Sequence, residues 1–344
     1  MGPSRIGPIG VHLGGRWIAV AQIARTHKGD RLLTSAVIER PEPGEPVSQR
    51  DIARLEGVLD RRGFRGTRVA LAAPEDLAFS SVLELPPRSS GAPIEQIARA
   101  EMARIHQVDA DAFRMGSWDL PSSQRARQST SVLAVGATHA SMGTLVDLFE
   151  PLGFEIAFIE PRCCALGRAC QAVLAEPTEV IIDLGWNASR LLLTFNGVIA
   201  YERALAASGV ARLDQTLRDH LETETRLLDH VLATLLAEPS AARDRRSPGR
   251  SGEVREFVRE WALRIAREAD GAAAYAERQF AAPLPTRILL TGPGTAIAGI
   301  DETIGELSGI PARSLAAGDL VPCRPETASD ARLATAIGVA RRFR

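Results

Sequence analysis

No stretch of this 344-residue chain approaches the roughly 20 consecutive apolar residues that a membrane-spanning helix needs. The first residues, MGPSRIGPIGV, lack a secretory apolar core and a small-residue cleavage site, so a cytoplasmic chain is expected, with membrane attachment only through a partner. An excess of either charge sign is also missing. The 41 Lys and Arg residues against 42 Asp and Glu leave a net charge of -1, which argues against a general nucleic-acid binder while leaving room for a local basic patch. Cysteine is scarce, and the adjacent Cys163 and Cys164 lack zinc-ligand spacing. With Cys170 they fall in PRCCALGRACQAVL, which reads as a buried helix where a free thiol acts as a small hydrophobe. Cys323 stands alone. There is no HExxH, CxxC pair, Walker lysine or GxSxG elbow, and His27, His106, His139, His220 and His230 are dispersed. No metal site is expected.

What is present is an alternation of strand-like and helix-like stretches, the pattern of an α/β protein. Apolar runs at Ile9 to Leu13 and Trp17 to Gln22 flank Gly14-Gly15-Arg16, a hairpin with glycines at its turn, and a third strand fits Leu33 to Glu39. A helix is expected over Ser48 to Arg61 and a buried strand over Arg68 to Ala73. The block from Phe79 to Thr130 has a different texture: a strand to Leu85, an amphipathic helix from Ile94 to Gln107, a strand near Met115 to Leu120 and a polar loop from Ser122. It reads as a small inserted subdomain. Ser131 to Ala137 then resumes the core sheet, with a helix over Met142 to Leu152 whose start Thr138 can cap, a strand near Glu155 to Ile159 and a helix from Pro161 to Leu174.

At Thr178 the order restarts. EVIIDL, a glycine turn, the strand Arg190 to Phe195, an Asn196-Gly197 turn and a strand from Val198 repeat the N-terminal sequence of elements, which suggests a duplicated fold. Two lobes are therefore expected, over residues 1–176 with an insertion at about 79–130, and over residues 177–344 with a helical part at about 210–280. The run PSAARDRRSPGRSG in residues 239–252 reads as a mobile loop. A helix is expected from Val254 to Phe280, a strand over Arg287 to Leu290 and a final helix over Asp330 to Arg342.

Three glycine-bearing turns follow apolar strands: Leu13-Gly14-Gly15, Asp183-Leu184-Gly185 and Thr291-Gly292-Pro293-Gly294. Glycine lets backbone N–H groups approach a phosphate, and an acid beside the turn can hold hydrated Mg²⁺. The other reading is that Asp183 caps a turn and the glycines only make tight bends. With IGVHLGGRWIAVAQI, VALAAPEDLAFSSVLELP, IEQIARAEMARI, VIIDLGWNASRLLLTFNGVIAYERAL, RILLTGPGTAIAGI and ATAIGVA, these turns give the chain a resemblance to the PilM family of the actin, sugar-kinase and Hsp70 superfamily along nearly its whole length. The resemblance implies a two-lobed actin-like ATPase fold of duplicated ribonuclease-H-like subdomains, with a small α+β subdomain inserted in the first lobe.

It also implies ATP as a cofactor, with Gly14, Gly15, Asp183, Gly185, Asn187, Gly292 and Gly294 as its binding positions. The departures weaken that implication. His12 stands where the family's first turn carries an Asp, and imidazole is a poor ligand for hydrated Mg²⁺. Ala19 replaces a Lys, and Pro293 removes an N–H donor. Mg-dependent ATP binding is expected to be weakened or lost, and no residue is assigned to catalysis. The function implied is a scaffold of a type IV pilus or related secretion assembly. It would bind the cytoplasmic N-terminal segment of an inner-membrane PilN-like partner in a groove near Arg68 to Leu85 and Ile94 to Ile105. The alternative is an active ATPase or phosphotransferase of the same superfamily, which needs an acid near the first turn. A cytoplasmic domain related to the type II secretion component that resembles a PilM–PilN fusion is a third reading.

Overall fold

A computed structural model describes residues 5–74, 77–121, 129–221 and 250–343. Two five-stranded sheets carry the fold. In the first, β1 (Arg5–Leu13), β2 (Trp17–Thr26) and β3 (Gly29–Glu39) form an antiparallel meander, and β4 (Arg68–Ala73) and β8 (Glu155–Pro161) extend it in parallel, in the order β3-β2-β1-β4-β8. The second repeats this plan with β9 (Thr178–Asp183), β10 (Ser189–Phe195), β11 (Val198–Leu205), β12 (Ile288–Thr291) and β13 (Ala312–Ser314), in the order β11-β10-β9-β12-β13. The repeat expected from the element order is thus present as equal strand orders. Pro8 sits inside β1 where the β1–β2 register slips between Ile6 and Ile9, a bulge that tolerates its missing N–H. Asn196 and Gly197 both take positive φ, 50° and 77°, which closes the β10–β11 hairpin.

Period-two alternation sorts the strand residues onto two faces. Ile9, Val11 and Leu13 join a core with Ile52, Leu55 and Leu59 of α1 (Gln49–Arg62) and with Leu145 and Phe149 of α3 (His139–Phe149). Val180, Ile182, Leu191 and Leu193 join a larger one with α5 (Val210–Leu221), α6 (Arg250–Phe280) and α7 (Ile300–Ser308). The opposite faces of the two sheets share a central layer. It contains α4 (Arg162–Cys170) and, after the four-residue helices α8 (Ala317–Leu320) and α9 (Pro325–Ala328), the closing helix α10 (Ala334–Ala340).

Sequence order puts α10 in the second lobe, yet it packs on the first sheet. A Cβ on Gly10 would lie 2.4 Å from the Ala336 carbonyl oxygen, and a Cβ on Gly338 would lie 1.8 Å from that of Ala165 in α4. Every residue of α10 is buried. Small residues are required because helix and strand backbones touch there.

The inserted unit is a three-stranded antiparallel sheet, β5-β7-β6, formed by β5 (Phe79–Leu85), β6 (Phe113–Asp119) and β7 (Thr130–Thr138). Its face bearing Leu83, Leu85, Val132 and Ala134 is covered by α2 (Ile94–His106) through Ala98 and Met102. The other face, with Val82, Trp118 and Leu133, joins the second lobe's core. Trp118 Nε1 donates to the Ile199 carbonyl at 2.7 Å. This corrects the assignment of Ser131 to Ala137 to the main sheet: the strand is the middle one of the small sheet. Covered on both faces, it has the apolar composition of any central strand, so composition does not say which sheet it joins.

Thr138 caps α3 by accepting the Ser141 N–H at 3.1 Å. Of the loop expected at 239–252, residues 239–249 lie outside the described residues and 250–252 open α6. His230 and most of the polar loop after Pro121 also lie outside them. Among the described residues, no helix is long and apolar enough to cross a membrane.

The α4–α10 crossing has no room for a methyl group. Gly338→Ala is expected to destabilise the protein by about 1–3 kcal/mol, read as a lowered urea midpoint, whereas Gly143→Ala, inside α3 with open space around it, is expected to raise the midpoint through about 0.5–1 kcal/mol of helix propensity.

Candidate functional site

The same alternation that builds the cores aims two polar side chains at each other. His12 follows Gly10 on the β1 face that meets the central layer, and Asp183 follows Ile181 on the equivalent face of β9. Both strands end there in glycine turns. Between them stands Arg162, the first residue of α4, which donates through Nη2 to Asp183 Oδ2. Both members of this pair are buried. Asp183 Oδ1 accepts the Thr291 hydroxyl at 3.2 Å. Burial alone would raise the Asp183 pKa. The Arg162 guanidinium, with His12 and the Thr291 hydrogen bond, outweighs burial and holds the carboxyl below its ordinary 3.8. Burial and the nearby Arg162 push His12 down to about 3 against the opposing charge of Asp183, so its imidazole is neutral at pH 7.

All three turns meet around this pair. A Cβ on Gly15 would lie 2.3 Å from Asn187 Oδ1, so the first turn rests on the second. Gly292, at φ 84°, leaves no room for a Cβ beside Asp183 Oδ1, and Gly294 is packed against Leu184. The structure therefore gathers Gly14, Gly15, Asp183, Gly185, Asn187, Gly292 and Gly294 into one locality. Their amides are largely committed to the chain itself. Gly14 donates to the Trp17 carbonyl at 3.0 Å, Gly185 to Asp183 at 3.0 Å, Gly292 to Ala331 at 3.2 Å and Gly294 to Leu184 at 2.9 Å.

A second buried ion pair fixes the first turn. Arg40 is held by Asp51 at 3.0 Å and donates to the carbonyls of Gly15 at 3.1 Å and Pro46 at 2.9 Å. Asp51 is also the acid of the Ser48 capping box that starts α1. At the mouth of the cleft, the Arg16 guanidinium lies 4.6 Å from the Trp17 ring centre and 4.8 Å from that of Trp186, with Glu39 as its ion-pair partner at 3.0 Å. The two indoles meet edge to face at 5.6 Å. A cavity of about 500 Å³ runs along these turns, with Arg16, Trp17, Arg40, Arg162, Trp186 and Arg332 in its wall. Arg162 and the Trp17–Arg16–Trp186 cluster were missed in the sequence. The available signal was a cation, Arg162, at the head of a helix otherwise read as buried.

Cys163 and Cys170 are buried free thiols, and Cys164 and Cys323 are partly buried, which fits small hydrophobes. Burial pushes Cys170 up to about 12. Among the described residues no group of three or more His, Cys, Asp or Glu side chains converges.

Two equally ordered sheets around a shared cleft, with a small subdomain inserted before β8, define a two-lobed actin-like ATPase fold. The structure is similar to ethanolamine utilization protein EutJ from Carboxydothermus hydrogenoformans (TM-score 0.55, 13% identity, 98% of this chain and 90% of that one). It is also similar to MreB5 of Spiroplasma citri, solved bound to ADP (TM-score 0.53, 13% identity, 96% and 94%). A chain of the PilM-PilN type IV pilus biogenesis complex superposes with a TM-score of 0.78 at 14% identity, over 98% of both chains. The likeness to the PilM fold expected from the sequence is therefore found in the structure. No protein-family model matches the chain, and no curated protein matches its sequence.

The depressed His12 pKa fixes the sign of a pH effect. Between pH 6.5 and about 3 the unfolded chain takes up a proton that the folded site refuses, so stability falls as pH falls through that window. A further loss follows below 3.8, where Asp183 is protonated first in the unfolded chain. In urea unfolding at stepped pH, His12→Asn is expected to flatten the first slope and leave the second.

Proposed function

We propose that this chain is a cytoplasmic scaffold of a type IV pilus or related secretion assembly. It takes the short cytoplasmic N-terminal segment of an inner-membrane PilN-like partner, and its ATP site is degenerate. The observation that carries the reading is the inserted subdomain. Its β5 lies at the sheet edge, and among the described residues β5 has no strand partner on its outer side. An exposed edge can accept an extended peptide through main-chain hydrogen bonds while neighbouring pockets take alternate side chains. Beside that edge, Phe79 stacks on His106 at 4.5 Å, Ser81 Oγ lies 3.0 Å from His106 Nε2, and Ile105 of α2 remains 42% exposed. Likeness over nearly all of a chain from the PilM-PilN complex supports the same reading.

The residues of the cleft do not fit a metal-bound nucleotide as they stand. Asp183 spends both carboxylate oxygens on Arg162 and Thr291, and His12 is a neutral imidazole where an acid would be needed. Four of the turn glycines already donate to protein carbonyls. Turnover would need a general base or metal-holding acid at the first turn.

A fluorescent peptide copying the partner's cytoplasmic N-terminal segment is expected to bind saturably by anisotropy. Ile105→Glu should weaken that binding, and Mg-ATP should leave it unchanged without steady phosphate release. A wild-type protein that ignores the peptide would overturn the scaffold reading. Sustained phosphate release would instead favour an active ATPase.

A further inference from the structure

We infer that Arg162 is the resident cation of the inter-lobe cleft, and that the chain clamps its own lobes where other chains of this fold use a bound nucleotide. The inference stands on three contacts that cross between the lobes, and does not need the partner to be PilN-like.

The first contact is the charge pair. Arg162 enters α4 from β8, the last strand of the first sheet, and reaches Asp183 at the end of the second lobe's opening strand. A Cβ on Gly185 would lie 2.3 Å from the Ala188 carbonyl oxygen and 3.2 Å from Arg162 Nη2, so the tight turn itself requires glycine and the guanidinium packs beside it. With Thr291 on the other oxygen, Asp183 has its charge answered by Arg162 and a hydrogen bond on each oxygen, which makes it a poor ligand for a divalent ion. The second contact is Gly15 against the Asn187 side chain, where the first and second turns touch. The third is the Trp17–Arg16–Trp186 corner, in which two indoles, one from each lobe, meet edge to face and the Arg16 guanidinium lies over both. A desolvated guanidinium over two rings is attracted to both. Glu39 pairs with that guanidinium.

These contacts account together for features that separately look like erosion. Arg162 neutralises Asp183 without a metal ion. Beside Arg162, a neutral His12 is better tolerated than a second cation would be, and its low pKa keeps it neutral. An Arg–carboxylate pair buried this deeply is not freely exchanged for solvent or ions, because either partner left alone would be an uncompensated buried charge. The lobes are thereby tied to each other at the turns, beside the cavity of about 500 Å³ that the turns line, and their spacing needs no nucleotide.

The test uses Mn²⁺ alone as the metal probe, Mg-ATP as the nucleotide, and solution scattering for lobe separation. In the wild-type chain, no bound Mn²⁺ is expected by electron paramagnetic resonance, and Mg-ATP should change neither the melting temperature nor the radius of gyration. Arg162→Ser should gain one Mn²⁺ per chain, and Arg162→Ser with Asp183→Asn should lose it again. Trp186→Ala leaves the buried charges intact, so it keeps the idea testable if Arg162→Ser does not fold. It should increase the radius of gyration, and Trp186→Phe should restore it. One Mn²⁺ held by the wild-type chain, contraction of the wild-type chain on Mg-ATP, or a Trp186→Ala chain with unchanged radius would each overturn the inference. Peptide binding is read separately by anisotropy, so either reading can fail without the other.

Discussion

A guanidinium paired with a carboxylate in the dry layer between two sheets sets the terms for the rest of this structure. Charges buried this deeply survive only in pairs, and the pairing needs Arg162 and Asp183 to arrive from different lobes at one point. The third turn is shaped around that meeting: Gly292 leaves room for the carboxylate, and Gly294 lets the turn close against Leu184. The turns that meet there bring together the first and second lobes.

The same requirement for close approach recurs away from the cleft. The closing helix lies flat on β1 at Gly10 and on α4 at Gly338, where any larger residue would push backbone from backbone. The helices of the central layer tie the lobes at their base, as the charge pair and the Trp17–Arg16–Trp186 cluster tie them at the cleft. The inserted sheet adds a third tie through Trp118 and through the Ser80 hydroxyl, which donates to Glu202, itself paired with Arg190 in a buried contact.

Much of the local structure was legible. The strands Arg68 to Ala73 and Phe79 to Leu85 begin and end where the apolar pattern and flanking breakers place them. The Ser48 and Thr138 helix starts follow from short-range hydrogen bonds, and the Asn196-Gly197 turn from backbone preference. The three turns were legible as turns, because glycine after an apolar strand has few other uses. What packs beside each was not, since a glycine that sits against a carboxylate, a carbonyl or a side-chain amide looks the same in sequence.

Sequence by itself determined the order of elements, the doubled plan of strands and the positions where backbone must bend tightly, because propensity, capping and turn chemistry act over a few residues. Tertiary structure alone decided that Ser131 to Ala137 pairs within the small sheet, that the last helix crosses back to the first lobe, and that Asp183 is answered by Arg162. Those outcomes depend on burial shared between segments far apart in the chain. A carboxylate at a strand end carries no local mark of the cation that will neutralise it: Arg162 lies 21 residues away and reaches Asp183 only once both sheets have packed against α4.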